Sequence, residues 1–195
     1  SERGGALAPT GGRLPRGAKG LHNACKQKRR RSGAESECTT MDITTLVQAV
    51  QTSKAGDALR TGLGAQQWQT LAPYMTRHDL RAGELLMRQG DVGRSAYFVE
   101  QGNLQVFVTG GPPGRQRIAV LQPGSLVGEP GLFAEVPRSA NVEAMTPCVV
   151  WGLNASQLER MCTSVPTLAL QLMRGAGAVM ATRMRANIER GMPLV

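Results

Sequence analysis

With 195 residues, 41% of them hydrophobic, the chain has enough apolar surface for one domain with a core, and 4% aromatic content rests that core on Leu, Val, Met and Ala. The net charge of +9 is concentrated in residues 1–40, where nine Lys/Arg face three Asp/Glu, so the alkaline balance is weak grounds for a nucleic-acid partner of the folded part. Four cysteines without a C-x-x-C pair, and two histidines at His22 and His78, give no zinc pattern, and so few cysteines in a chain of this size argue against a disulfide framework; reduced thiols and a cytoplasmic location are expected.

Residues 1–40 are rich in Gly, Arg, Ser and Pro and lack hydrophobic periodicity, as expected of a disordered basic leader. They carry no apolar segment of a secretory signal. A natural start at Met41, with the preceding residues as added or extended-frame sequence, fits the change of character there. The run Lys26-Gln27-Lys28-Arg29-Arg30-Arg31 is read as solvated charge rather than a nucleic-acid patch.

From Met41 to Tyr74 the pattern is helical. Ile43, Leu46, Val47 and Val50 recur at three- and four-residue steps, with Asp42 placed to cap the helix. A second helix over 66–71 turns Trp68, Leu71 and Ala72 inward. These helices form a segment at 41–75, ahead of a barrel expected over 76–154 and helices over 155–195.

Between Thr76 and Leu153 the period shortens towards two and turns multiply. Short strands are predicted at 84–87, 96–99, 104–109, 118–121, 140–144 and 148–153, separated by Gly90-Asp91, Gly102-Asn103, the 110–114 glycine-proline loop and Pro123-Gly124. In the third of these, Leu104, Val106 and Val108 alternate with Gln105, Phe107 and Thr109. The fold expected is mainly β with flanking helices, a jelly-roll (double-stranded β-helix) barrel of about eight strands.

Asn154 or Ser156 suits the cap of a short helix, and Pro166 the first turn of a longer one reaching about Arg190. Leu172, Ala176, Met180, Met184 and Ile188 form a four-residue stripe on the long helix. No apolar run approaches the roughly 18–20 residues of a membrane span, and the longest candidate, 167–180, is interrupted by Arg174.

The segment with the most chemistry is Gly128-Glu129-Pro130-Gly131-Leu132-Phe133-Ala134-Glu135-Val136-Pro137-Arg138-Ser139-Ala140. A buried phosphate needs a cation and several donors. Arg138 offers a planar fork for two phosphate oxygens, and Ser139 a hydroxyl and an amide. A short helix starting at Pro130 would aim backbone N–H groups at the same space. Glu129 can accept from a ribose hydroxyl, while Gly128 and Gly131 let main chain approach a ligand closely.

This segment, with its nine-residue spacing between Glu129 and Arg138, resembles the phosphate-binding cassette of cyclic nucleotide-binding domains of the catabolite activator type. Gly83-Glu84, Gly90-Asp91, Gly102-Asn103-Leu104 and Pro123-Gly124 extend the resemblance from about Thr76 to Met161. Departures are Val127, where an aromatic or Ile is usual, and Pro130, which replaces a usual Leu and lacks an N–H. The resemblance implies a ligand site of Gly128, Glu129, Pro130, Gly131, Arg138, Ser139 and Ala140. It assigns Glu129 to the ribose and Arg138 to the phosphate, with base contacts from the terminal helix, where Thr182 and Arg183 are available. It favours cAMP over cGMP.

The function implied is a stand-alone bacterial cyclic nucleotide sensor that signals through its C-terminal helices to an effector protein. Leu172, Ala176, Val179, Met180 and Met184 are expected in a two-fold interface, as related regulators dimerise through this helix. Two alternatives remain. One is a truncated catabolite activator-type transcription regulator; in the sequence as given, five residues follow Arg190, too few for a recognition helix, so direct DNA binding is not expected. The other is a degenerate barrel without ligand, in which Glu129 and Arg138 pair with each other. Enzyme chemistry and a metal site are not expected: a cupin-type centre needs clustered His and Glu, and neither a Ser/His/Asp set nor a P-loop occurs.

Overall fold

In a computed structural model, residues 42–111 and 114–190 are described. The expectations on the basic leader, on its 26–31 run and on a start at Met41 fall outside these residues.

Helix α1 (Thr44–Thr52) buries Leu46 and Val50, and Ile43 just before it is fully buried. The Asp42 carboxylate accepts a 3.0 Å hydrogen bond from the Thr44 amide. The Thr44 hydroxyl and then its amide hold the Asp42 carboxyl below its ordinary range. Helix α2 (Ala65–Leu71) buries Trp68 and Leu71, and a single 3₁₀ turn (Ala72–Tyr74) leads into the strands.

Eight strands follow among the described residues: β1 (Thr76–Leu80), β2 (Leu85–Met87), β3 (Ser95–Gln101), β4 (Leu104–Gly111), β5 (Gly114–Leu121), β6 (Leu126–Val127), β7 (Asn141–Ala144) and β8 (Cys148–Asn154). They form two four-stranded antiparallel sheets, ordered β1-β8-β3-β6 and β2-β7-β4-β5. Leu80, Val99 and Val150 of the first sheet meet Met87, Leu104, Leu121 and Val142 of the second in an apolar core.

Strand period explains why the first sheet is apolar on both faces. In β8, Cys148 and Val150 face the inter-sheet core, while Trp151 and Leu153 join a second core formed with the helices. In β3, Val99 faces the first core and Ala96 and Phe98 the second. Trp68 meets Phe98 edge-on, with ring centroids 6.3 Å apart. The Trp151 indole N–H donates to the buried Glu100 carboxylate at 2.6 Å.

In β4 the alternation expected from the sequence holds, but both faces are covered at Phe107. Leu104 and Val106 keep to the inter-sheet core, whereas Phe107, of the opposite parity, is buried outside that core, beside Asn141 of β7. The register shift at this step leaves an extra residue, Ile118, on β5, so β5 and not β4 carries the bulge.

A short helix α3 (Pro130–Phe133) lies between β6 and β7. Asn154 caps α4 (Ala155–Ser164), accepting from the Gln157 amide at 2.8 Å, and Pro166 opens the 24-residue α5 (Pro166–Glu189). The stripe expected on α5 divides. Leu172 and Ala176, with Val179 beside them, pack in the same core as α1 and α2, Met180 is half-buried, and Met184 and Ile188 are exposed. The two-fold interface expected from Leu172, Ala176 and Val179 is therefore corrected: burial against their own chain withdraws these three side chains from a partner. No helix of the described residues is long and apolar enough to cross a membrane.

Candidate functional site

Strand β6 is followed by Gly128, whose φ of +77° lies in the region that favours glycine. That turn places Glu129 and α3 beside the loop that precedes β3. From the other side, the end of the cassette is fixed by backbone. The Arg138 amide donates to the Asp91 carbonyl at 2.9 Å, and the Gly90 amide donates to the Arg138 carbonyl at 2.8 Å. Val92 and Pro137 form an antiparallel bridge next to them. Arg138 thus sits on a short clamp between two loops of the barrel.

The Arg138 guanidinium turns inward. Nη1 donates to the Gly128 carbonyl at 3.0 Å, and Nη2 to the Ser95 carbonyl at 2.7 Å. Three glycines make room for it. A Cβ at Gly93 would lie 3.1 Å from Nη2, and one at Gly128 or Gly131 would lie 2.9 Å from Nη1. Of the five N–H donors of a guanidinium, two meet backbone carbonyls, and no carboxylate is paired with Arg138 among the described residues. Burial lowers its pKa from the ordinary value, with the charges of Tyr97 and Glu129 opposing. A half-buried guanidinium remains a cation.

Glu129 is also buried, at 4% exposure, but its partner is a different arginine. Arg183 of α5 donates from Nη1 to Glu129 Oε1 at 2.8 Å, from Nε to Asp57 Oδ2 at 2.7 Å and from Nη2 to the Leu126 carbonyl at 2.8 Å. The direct Glu129–Arg138 pair that a degenerate barrel would hold is therefore replaced by a Glu129–Arg183 pair. Thr182, its neighbour, is exposed and donates its hydroxyl to the Ala178 carbonyl at 2.9 Å. The two residues expected near a base thus stand in different settings, one on the cassette and one on the helix surface.

The remaining cassette residues are distributed as follows. Gly131 is buried, Ala140 half-buried, and Pro130 and Ser139 exposed. The row of amides expected at the start of α3 is corrected. Pro130 has no N–H, and the Gly131 and Leu132 amides donate to the Gly128 and Glu129 carbonyls at 3.1 and 3.0 Å. With four residues the helix closes its own first turn, so the cationic character of the site comes from Arg138. Asp57 was not singled out in the sequence. It lies 126 positions from Arg183, in a turn without periodicity, and no local signal links them.

Residues 77–164 match the family described as "Cyclic nucleotide-binding domain". This part of the chain belongs to the cyclic nucleotide-binding domain family. The cAMP-dependent protein kinase regulatory subunit of Blastocladiella emersonii is 32% identical over 112 residues, which are 57% of this chain and 28% of the relative. The cyclic AMP receptor protein of Thermus thermophilus is 29% identical over 135 residues, which are 69% of this chain and 61% of the relative. The chain spans less than two thirds of the length of either. Among solved structures, a cyclic nucleotide-binding domain from Methylobacillus flagellatus superposes with a TM-score of 0.66 at 21% identity, covering 76% of this chain and 81% of that one. At that identity the likeness speaks for the fold.

The family is a regulatory one, and the eight-stranded barrel with N-terminal helices and a long C-terminal helix is its architecture. Among the described residues, no group of three His, Cys, Asp or Glu is placed to hold a metal ion.

Proposed function

We propose that the chain binds a cyclic nucleotide, cAMP in preference to cGMP, and acts as a regulatory module whose output is a change in its C-terminal helices. The observation that carries this is Arg138: a half-buried cation between three glycines, donating to two carbonyls, with no carboxylate partner among the described residues. A cyclic phosphodiester is a singly charged anion with two exocyclic oxygens. It suits a guanidinium that still has N–H groups to offer. Gly128 and Gly131 give the ligand access to main chain, Ser139 and Ala140 keep the flank of Arg138 small, and Pro130 restricts the turn between them. Glu129, within the electrostatic range of Arg138, accepts from the ribose 2′-hydroxyl. Arg183 ties α5 to the cassette at Glu129, and Thr182, exposed beside it, is available to the base.

Preference for cAMP is supported by two relatives whose names refer to it, the kinase regulatory subunit and the receptor protein. Regulation requires that ligand bind one arrangement of α4 and α5 better than another; a difference of about 1–3 kcal/mol makes a modest switch. An effector protein in the cytoplasm reads that switch, and the exposed Met184 and Ile188 are available to a second copy of the chain. The module is a binding protein rather than an enzyme. A second reading, part of a catabolite activator-type regulator, is favoured by the match to 61% of the Thermus receptor protein.

Calorimetric titration of the full chain with cAMP, cGMP and linear 5′-AMP tests the reading. Saturable binding with cAMP tightest is expected. Absence of binding by both cyclic nucleotides, or equal binding of linear AMP, overturns it.

A further inference from the structure

The inner face of the first sheet carries a polar group that the site described above does not use. Tyr97 of β3 stands in register with Val127 of β6 on one side and Gly152 of β8 on the other. Its parity is that of Val99, so its side chain projects between the sheets, half-buried against the edge of the inter-sheet core. Gly152 leaves room for the ring. A Cβ there would lie 3.1 Å from Tyr97 Cε1 and 3.1 Å from His78 Nε2. His78, exposed on β1, meets the ring edge-on, with centroids 5.8 Å apart. The core, Gly152 and His78 together fix the ring.

Arg138 lies at the same end of the same two strands. Its guanidinium donates to the carbonyl of Ser95, two residues before Tyr97, and to that of Gly128, the residue after Val127. Tyr97 comes ahead of Glu129 among the charges that act on Arg138. Such an interaction falls with distance, so the phenol oxygen stands close to the guanidinium. Yet the Tyr97 hydroxyl makes no hydrogen bond among the described residues. No buried polar side-chain atom among those residues lacks a partner, so this half-buried hydroxyl reaches solvent. A guanidinium has no acceptor, so the hydroxyl proton has nothing to gain from Arg138 itself. Two donors therefore flank one solvent-reached space, and an anion is what both can share.

Resting on the cyclic nucleotide reading above, we infer that the Tyr97 hydroxyl is a second donor to the cyclic phosphodiester: Arg138 neutralises the anion, and Tyr97 donates to one of its two exocyclic oxygens from the inner face of β3. The division is physical. One cation balances the single charge of the ligand, and a neutral O–H adds a hydrogen bond without adding charge. Because the ring is fixed on one side of the site, the bond goes to one exocyclic oxygen and not to the other. Gly152 and His78 act through the ring, as positioning residues.

The test uses cAMP and its two phosphorothioate diastereomers, each of which carries sulfur, a weaker hydrogen-bond acceptor, in place of a different exocyclic oxygen. Tyr97→Phe keeps the ring and removes the hydroxyl, and its urea midpoint shows that it is folded. It should weaken cAMP about tenfold or more, the worth of a hydrogen bond to a charged group. One diastereomer should weaken as much. The other, whose sulfur already faces Tyr97, should weaken by about twofold or less. Tyr74→Phe, at the other tyrosine of the chain, should leave all three affinities unchanged. Unchanged cAMP affinity in Tyr97→Phe overturns the inference, and so does equal weakening of the three ligands, which is what loss of ring packing alone would give. The wild-type protein supplies an arm that needs no variant: the two diastereomers should differ in affinity by about fivefold or more, and equal affinities overturn the inference. Wild-type protein that binds none of the three overturns instead the cyclic nucleotide reading on which it rests.

Discussion

Two arginines divide the electrostatic work of the site. Arg138 is held by backbone carbonyls, and Arg183 by two carboxylates and a carbonyl. The glycines around Arg138 are steric requirements. A Cβ at Gly131 would lie 2.5 Å from the Gly93 carbonyl oxygen and 2.9 Å from Arg138 Nη1. Gly131→Ala should therefore displace the guanidinium and destabilise the fold by about 1–3 kcal/mol, the usual cost of overpacking. Urea unfolding measures it, and a wild-type midpoint with wild-type nucleotide affinity would contradict this packing. Away from the site, Trp151→Phe removes the indole donor from Glu100, which is 7% exposed. Leaving that carboxylate without its donor should cost about 1–3 kcal/mol, read from the same unfolding experiment. Arg138 and Glu129 were legible in the sequence because the cassette is local. The partner of Glu129 was not, since 54 positions separate it from Arg183 and only the folded chain brings them together.

Among the elements, those with local punctuation were readable in advance. Asn154 and Pro166 mark the starts of α4 and α5, and the turn glycines Gly83, Gly90, Gly102 and Gly124 all have positive φ. Strand β4 was harder, because alternation alone does not tell that its second face is also covered; Phe107 is buried there although Leu104 and Val106 face the inter-sheet core. Helix α5 was harder still. A four-residue stripe gives its amphipathic face but not where the covering core ends, so Leu172 is buried and Met184 exposed on the same stripe. The division predicts unequal costs. Leu172→Ala should destabilise the protein by about 2–5 kcal/mol, and Met184→Ala by no more than about 0.5 kcal/mol. Comparable losses in the two variants, measured by chemical denaturation at low protein concentration, would place Met184 in a buried interface.

The whole molecule joins a barrel with an inter-sheet core to a helical layer through the first sheet, whose strands β3 and β8 contribute to both cores. Ligand bound only by the folded barrel should stabilise it by mass action. At a free concentration of one hundred times Kd the gain is about 2.7 kcal/mol, visible as a higher urea midpoint with cAMP present, whereas an unchanged midpoint would speak against binding to the native state. The central claim concerns the cation between the two loops, and calorimetric titration of cAMP into the full chain and into Arg138→Ala tests it most directly. Saturable binding by the unaltered protein, weakened in the variant by about 1.5–3 kcal/mol, is the predicted result. Equal affinity in the two proteins, with the variant folded, would contradict it.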